Sequence, residues 1–182
     1  TVTAQAIGNA TVCTGSSASL SMVGFASSTN TYQWSDANGT ISGATSSTYS
    51  ASATGTYTLT VTTANGCTAT SSALVVTIVT PTTPTGLSVS SIQLDRATMN
   101  WSSVSNTHHY DIRMRVQGSA WSIALNSIVS SSSSRTKTGL SSSTTYEWQI
   151  RSACSADSSS VSAWSSTQSF TTLTPCTTPV NI

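Results

Sequence analysis

Charge is what this sequence has least of. Only 6% of its residues are charged, against roughly a quarter in an average soluble protein. From residue 1 to 80 the only charged side chain is Asp36, and all six basic residues, Arg96, Arg113, Arg115, Arg135, Lys137 and Arg151, come later. The first half therefore cannot steer a charged partner. The second is only mildly basic, too thinly so for a nucleic-acid interface built on clustered cations. No apolar run approaches the roughly 20 residues of a membrane-spanning helix, so no membrane insertion is expected. Helix formers are scarce. Ser and Thr, about two residues in five, take their place and favour strands, turns and loops. There is no CxxC, and the cysteine spacing is wrong for zinc. Four cysteines, two in each half, fit a disulfide framework in an oxidising compartment, hence a secreted or cell-surface location. No leader precedes Thr1, so the chain reads as a mature form or an excised piece, monomeric as a fragment.

Proline is nearly absent too. The four prolines fall in two places, Pro81 with Pro84 and Pro175 with Pro179. Proline fixes φ and removes a ladder donor, so both segments belong between sheets. Thr82-Thr83-Pro84-Thr85-Gly86-Leu87 aligns with Thr177-Thr178-Pro179-Val180-Asn181-Ile182. This predicts one sandwich over 1–80, a proline linker at 81–85, a second sandwich over 86–173, and a linker at 174–182 leading to a following module.

In the first half, strand signals recur at the 8–12-residue spacing of sandwiches. Leu20 and Met22 point inward from Ala18–Met22, and Thr31–Trp34 follows with a turn at Asn38-Gly39. Gly55–Thr62 is the clearest strand, with Tyr57, Leu59 and Val61 on one face and Thr58, Thr60 and Thr62 on the other. Asn65-Gly66 signals a hairpin, and Leu74–Val79 is the last strand. The order Cys13, Trp34, Cys67, with Gly55-Thr56-Tyr57 opening the penultimate strand, resembles an immunoglobulin-like fold. Gly-Thr-Tyr-Thr-Leu-Thr-Val followed by Asn-Gly-Cys is similar to the immunoglobulin/PKD-like repeats of large secreted proteins of Bacteroidetes-type bacteria. Cys67 lies ten residues after Tyr57 rather than two, so the implied Cys13–Cys67 bridge would tie the sandwich edge, stabilising it by roughly 4 kcal/mol.

In the second half, Ala97–Trp101, Tyr110–Val116 and Thr144–Arg151 alternate, with Tyr110, Ile112, Met114, Val116, Tyr146, Trp148 and Ile150 inward. Trp101, Tyr110, Leu140 ahead of Tyr146, and Trp164-Ser165 before Phe170-Thr171-Thr172 together resemble fibronectin type III. The resemblance implies that Tyr146 is a tyrosine-corner residue bonded back to nearby backbone. Cys154 and Cys176 lie outside that pattern. Pairing them would pin the following linker to the module, and Cys176 has the alternative of pairing into the next module. The fold class is thus all-β, two consecutive antiparallel sandwiches, each closed by its own bridge.

Chemistry is sparse. His108 and His109 would point to opposite faces of a strand, while His109 and Asp111 share the outward face and could touch, most simply as an exposed polar pair. No Gly-x-Ser-x-Gly elbow is present, and Asp36, Asp95, Asp111, Glu147 and Asp157 are scattered. No enzyme activity, metal or other cofactor is expected. Asp36-Ala37-Asn38-Gly39 lacks the remaining ligands of a calcium loop and reads as a hairpin turn. Trp164-Ser165 matches half of the cytokine-receptor Trp-Ser-x-Trp-Ser element, whose other half is missing, so that reading is rejected. Asn9, Asn38 and Asn100 begin glycosylation triplets, common by chance in so hydroxylated a chain. Trp34, Trp101 and Trp148 are expected in the cores. Trp121 beside Arg113 and Arg115 is the candidate ligand surface, with edge packing, a cation–π contact or an ion pair to Glu147 as the plainer reading. The expected function is that of spacer or adhesion modules, with a polysaccharide or another cell-surface protein as partner. The alternative is a carbohydrate-binding accessory unit of a polysaccharide-degrading enzyme.

Overall fold

The computed structural model describes residues 5–8, 10–24 and 29–176. The chain divides into two compact units, residues 1–79 and 80–182. The first unit carries β1 (Gln5–Ile7), β2 (Ala10–Cys13), β3 (Ala18–Val23), β4 (Thr31–Asp36), β5 (Gly39–Thr40), β6 (Thr48–Ala51), β7 (Gly55–Thr62), β8 (Thr68–Thr70) and β9 (Leu74–Val79). One sheet is β1-β3-β6. The other is β2-β9-β7-β4-β5, with β8 also on β7. The first strand segment switches sheets at Gly8. Its φ of +139° and a Leu20 methyl 2.6 Å from where a Cβ would sit demand glycine there.

Period-two alternation builds the core, as the sequence led one to expect. Tyr57, Leu59 and Val61 are buried with Leu20, Trp34 and Val76. Trp34 Nε1 donates to Ser46 O at 3.0 Å, so this indole is buried without an orphaned donor. Tyr57 donates its hydroxyl to Ala53 O at 2.9 Å. The Asn38 turn is held by Asp36 Oδ1, which accepts the Asn38 N–H, an Asx-type hairpin turn.

The second unit carries β10 (Ser88–Ser90), β11 (Arg96–Asn100), β12 (His109–Val116), β13 (Ser122–Val129), β14 (Ser134–Thr138), β15 (Thr145–Ala153) and β16 (Gln168–Thr171), in sheets β10-β11-β14 and β13-β12-β15-β16. Trp101, Tyr110, Ile112, Trp148 and Ile150 fill the space between them. Val116, expected inward, is 46% exposed because it ends β12 beyond the covered core. Tyr146 forms the expected corner, its hydroxyl accepting the Ser141 N–H at 2.9 Å. Residues 82–85, expected as linker, are bonded into this unit. Ser152 Oγ donates to Thr82 O, Thr83 Oγ1 donates to Ala163 O, and Pro84 is fully buried. The repeat at 177–182 lies outside the described residues.

Neither expected bridge forms. Cys67 and Cys176 are free and exposed, whereas Cys13 and Cys154 are disulfide-bonded. Strand direction is the reason. Cys13 lies opposite Val79, past the Gly55 end of β7. Cys67 lies in the turn past the Thr62 end, opposite Thr63. The length of β7, roughly 26 Å, separates them, and a bridge needs Cα atoms within about 7 Å. The second pair fails alike: Cys154 follows the Ala153 end of β15, and Cys176 follows β16, whose Thr171 faces Thr145 at the other end.

Candidate functional site

The polar side chains of the second unit converge on the outer face of β12 and β15. The register sets Asp111 opposite Arg151, Arg113 opposite Gln149, and Arg115 opposite Glu147. All three pairs are bonded. Arg151 donates Nη2 and Nε to Asp111 Oδ2 at 3.0 and 3.1 Å, Arg113 Nε to Gln149 Oε1 at 2.7 Å, and Arg115 Nε to Glu147 Oε2 at 2.6 Å. The anticipated cross-strand pair of Arg115 and Glu147 is therefore present.

Two tryptophans interleave with this row. Arg151 and Arg113 stand 4.7 and 4.6 Å from the Trp164 ring centre, and Arg113 and Arg115 stand 4.7 and 4.3 Å from that of Trp121. The order is Arg151, Trp164, Arg113, Trp121, Arg115. Each ring thus has two guanidiniums against it, and both rings remain partly exposed. Burial, with Arg115 and Arg151 nearby, holds the Arg113 pKa below its usual value.

Serine positions Trp164. Ser165 donates its N–H to Ile150 O, while its Oγ accepts the Ile150 N–H at 3.1 Å and donates to Ser166 O. Ser162 does the same with Ser152 and Ala163 O. Each hydroxyl substitutes for a ladder carbonyl, fastening residues 162–165 beside β15 and turning Trp164 over the sheet. Ser71 repeats the device in the first unit, with Leu59 and Ser72 O. In the incomplete Trp-Ser-x-Trp-Ser likeness, Ser162 stands at the element's first serine, with Val161 where its first tryptophan would be. The three-residue serine spacing before a strand was the available clue.

His109 and Asp111 touch but are not an exposed pair: both are buried. His109 Nε2 lies 3.0 Å from Ser158 Oγ and 3.6 Å from Asp111 Oδ1, and its Nδ1 lies 3.1 Å from His108 Nδ1. The neighbouring histidines converge because His108 precedes β12 and escapes its alternation. A catalytic triad needs the carboxylate on the imidazole nitrogen opposite the one facing the nucleophile. Here Ser158 and Asp111 face the same nitrogen. Asp111 instead joins β12 to β13 and β15, accepting also the N–H of Ser127, which has φ +50° in a bulge. Among the described residues no three His, Cys, Asp or Glu side chains are grouped to hold a metal.

No family model and no curated protein matches this sequence. Solved structures do, 582 chains in all. Titin domains A168–A170 align over 94% of this chain and 66% of that one, at 12% identity and a TM-score of 0.63. The FN1–FN3 domains of chicken CNTN1 give 13% identity and 0.48 over 94% of this chain and 65% of that one. A two-domain fibronectin type III segment of chicken tenascin gives 16% and 0.45 over 86% and 93%. At such identities the likeness shows fold alone, and none of these neighbours supports a Bacteroidetes-type origin. The chain is all-β, with neighbours among tandem immunoglobulin and fibronectin type III domains.

Proposed function

We propose that the two units are non-catalytic spacer or adhesion modules of a larger secreted or cell-surface protein. The observation that carries this reading is the internal satisfaction of the row from Arg151 to Arg115. Every cation there has an indole and a hydrogen-bond acceptor from its own sheet. Such a row braces the sheet face. Cation–π contacts contribute about 0.5–1 kcal/mol each when exposed, more when desolvated. A pyranose stacking on Trp121 or Trp164 would have to compete with the arginines already against these rings, so the carbohydrate-binding alternative gains no support from the candidate residues Trp121, Arg113 and Arg115. The disulfide-bonded state of Cys13 and Cys154 supports an oxidising compartment.

The test is replacement. An unrelated pair of sandwiches of equal length, substituted into the parent protein, should restore its localisation, with adhesion also restored for spacers and selectively lost for adhesion modules. Failure of the replacement, together with glycan binding abolished by Trp121→Ala in a variant that remains folded, would overturn the spacer reading in favour of a ligand-binding module.

A further inference from the structure

The second unit is open along one seam between its sheets. The rims are β13 and β14, both edge strands, paired only to β12 and β11 respectively. At eight residues β13 is the longest edge among the described strands. It carries no charge and no proline, two of the usual means of blunting an edge. Two bulges interrupt its pairing with β12. Ile123 and Val129 are 53% and 61% exposed along it.

The opposite rim is cationic. Arg135 and Lys137 pair with Met99 and Ala97 in register, so they start on the inner face and reach outward through the seam. Arg135 borders a cleft with Leu125 and Ile128, and Lys137 borders one with Met114, Ile123 and Leu140. Every other cation of the chain has a partner: Arg96 has Asp95, Arg115 has Glu147, Arg151 has Asp111, and Arg113 has its indoles and Gln149. Among the described residues, Arg135 and Lys137 have none.

We propose that this seam docks an extended acidic segment of a partner protein. An extended peptide supplies the backbone donors and acceptors that a free edge lacks, and the alternate side chains that face the seam set carboxylates against Arg135 and Lys137, leaving the other set on the outer face. A second copy of this chain fits poorly, because it would bring the same two cations to the same place. A polysaccharide has no strand-like amide repeat to match the edge. The proposal goes beyond the spacer reading and does not use the Trp–Arg row.

The experiment titrates isotope-labelled full chain with a synthetic peptide alternating Glu and Val, and with its Lys–Val counterpart, at low ionic strength. Saturable amide shifts should cluster on β13 and β14 for the Glu peptide, with at least tenfold weaker binding of the Lys peptide. The double variant Arg135→Glu, Lys137→Glu should invert the preference, and Arg135→Gln, Lys137→Gln should abolish it while the remaining spectrum is unchanged. Equal affinity for both peptides, shifts elsewhere or none, self-association through β13, or binding of a sulfated oligosaccharide at these residues with the Glu peptide silent would each overturn the proposal.

Discussion

β7 of the first unit and β15 of the second occupy the same place in their sandwiches and share an inward pattern, Tyr57, Leu59, Val61 against Tyr146, Trp148, Ile150. Their outer faces differ. β7 shows Thr58, Thr60 and Thr62, of which Thr60 bonds its hydroxyl to that of Thr70 at 3.0 Å. β15 shows Glu147, Gln149 and Arg151 under a layer of tryptophan and arginine. The inner face fixes the fold, so it is constrained alike in both units. The outer face is free to vary, and there one unit uses short hydroxyl pairs while the other builds a stacked cover. The serine device beside the central strand is common to both.

The contrast is broken most sharply by removing the cover. Trp164→Ala should destabilise the second unit by about 3 kcal/mol, toward the lower end of core tryptophan truncations. Thr60→Ala should cost the first unit at most about 0.5 kcal/mol, as surface substitutions do. Urea unfolding, with hydrogen exchange of β7 and β15 to assign the loss, checks both. Next come the serines. Ser165→Ala and Ser71→Ala each strand a buried strand N–H, of Ile150 and of Leu59, and should cost about 1–3 kcal/mol apiece, equal within error if the device is shared. Smaller again is an asymmetry between two buried indoles. Trp34→Phe breaks the bond to Ser46 O, whereas Trp148 Nε1 has no hydrogen-bond partner. Trp34→Phe should therefore be the costlier of the two by about 1 kcal/mol.

The smallest effect is a titration. The Ser159 N–H, then the Ser159 and Ser155 hydroxyls, lower the Asp157 pKa to about 2. A carboxylate so depressed stabilises the 155–160 turn at pH values above its ordinary pKa. That contribution falls away as pH drops through about 2. The Asp157 side-chain NMR shift should titrate there, and in Ser159→Gly, which removes one hydroxyl, the midpoint should rise.

How much of this was readable from the sequence follows from what period-two patterns encode. Leu59, Trp148 and the Asn38 turn are local, and alternation with turn chemistry places them. The ion pair of Arg115 and Glu147 follows once two alternating strands are neighbours. The cysteines are different: evenness and proximity in sequence suggested Cys13–Cys67 and Cys154–Cys176, but antiparallel strand direction puts each pair at opposite ends of a strand. Trp164 is not placed by alternation, because its position depends on two serine hydroxyls that act like carbonyls. Ser158 over His109 was hidden likewise, since a loop far along the chain buries what alternation alone would leave in water.

The tryptophan–arginine row acts as structure, and a double-mutant cycle between Arg113 and Trp164 tests this most directly. Unfolding of Arg113→Ala, Trp164→Ala and the double variant should return a coupling energy of about 1 kcal/mol or more, largely retained in molar salt. A coupling indistinguishable from zero, with both single variants as stable as the parent, would contradict it.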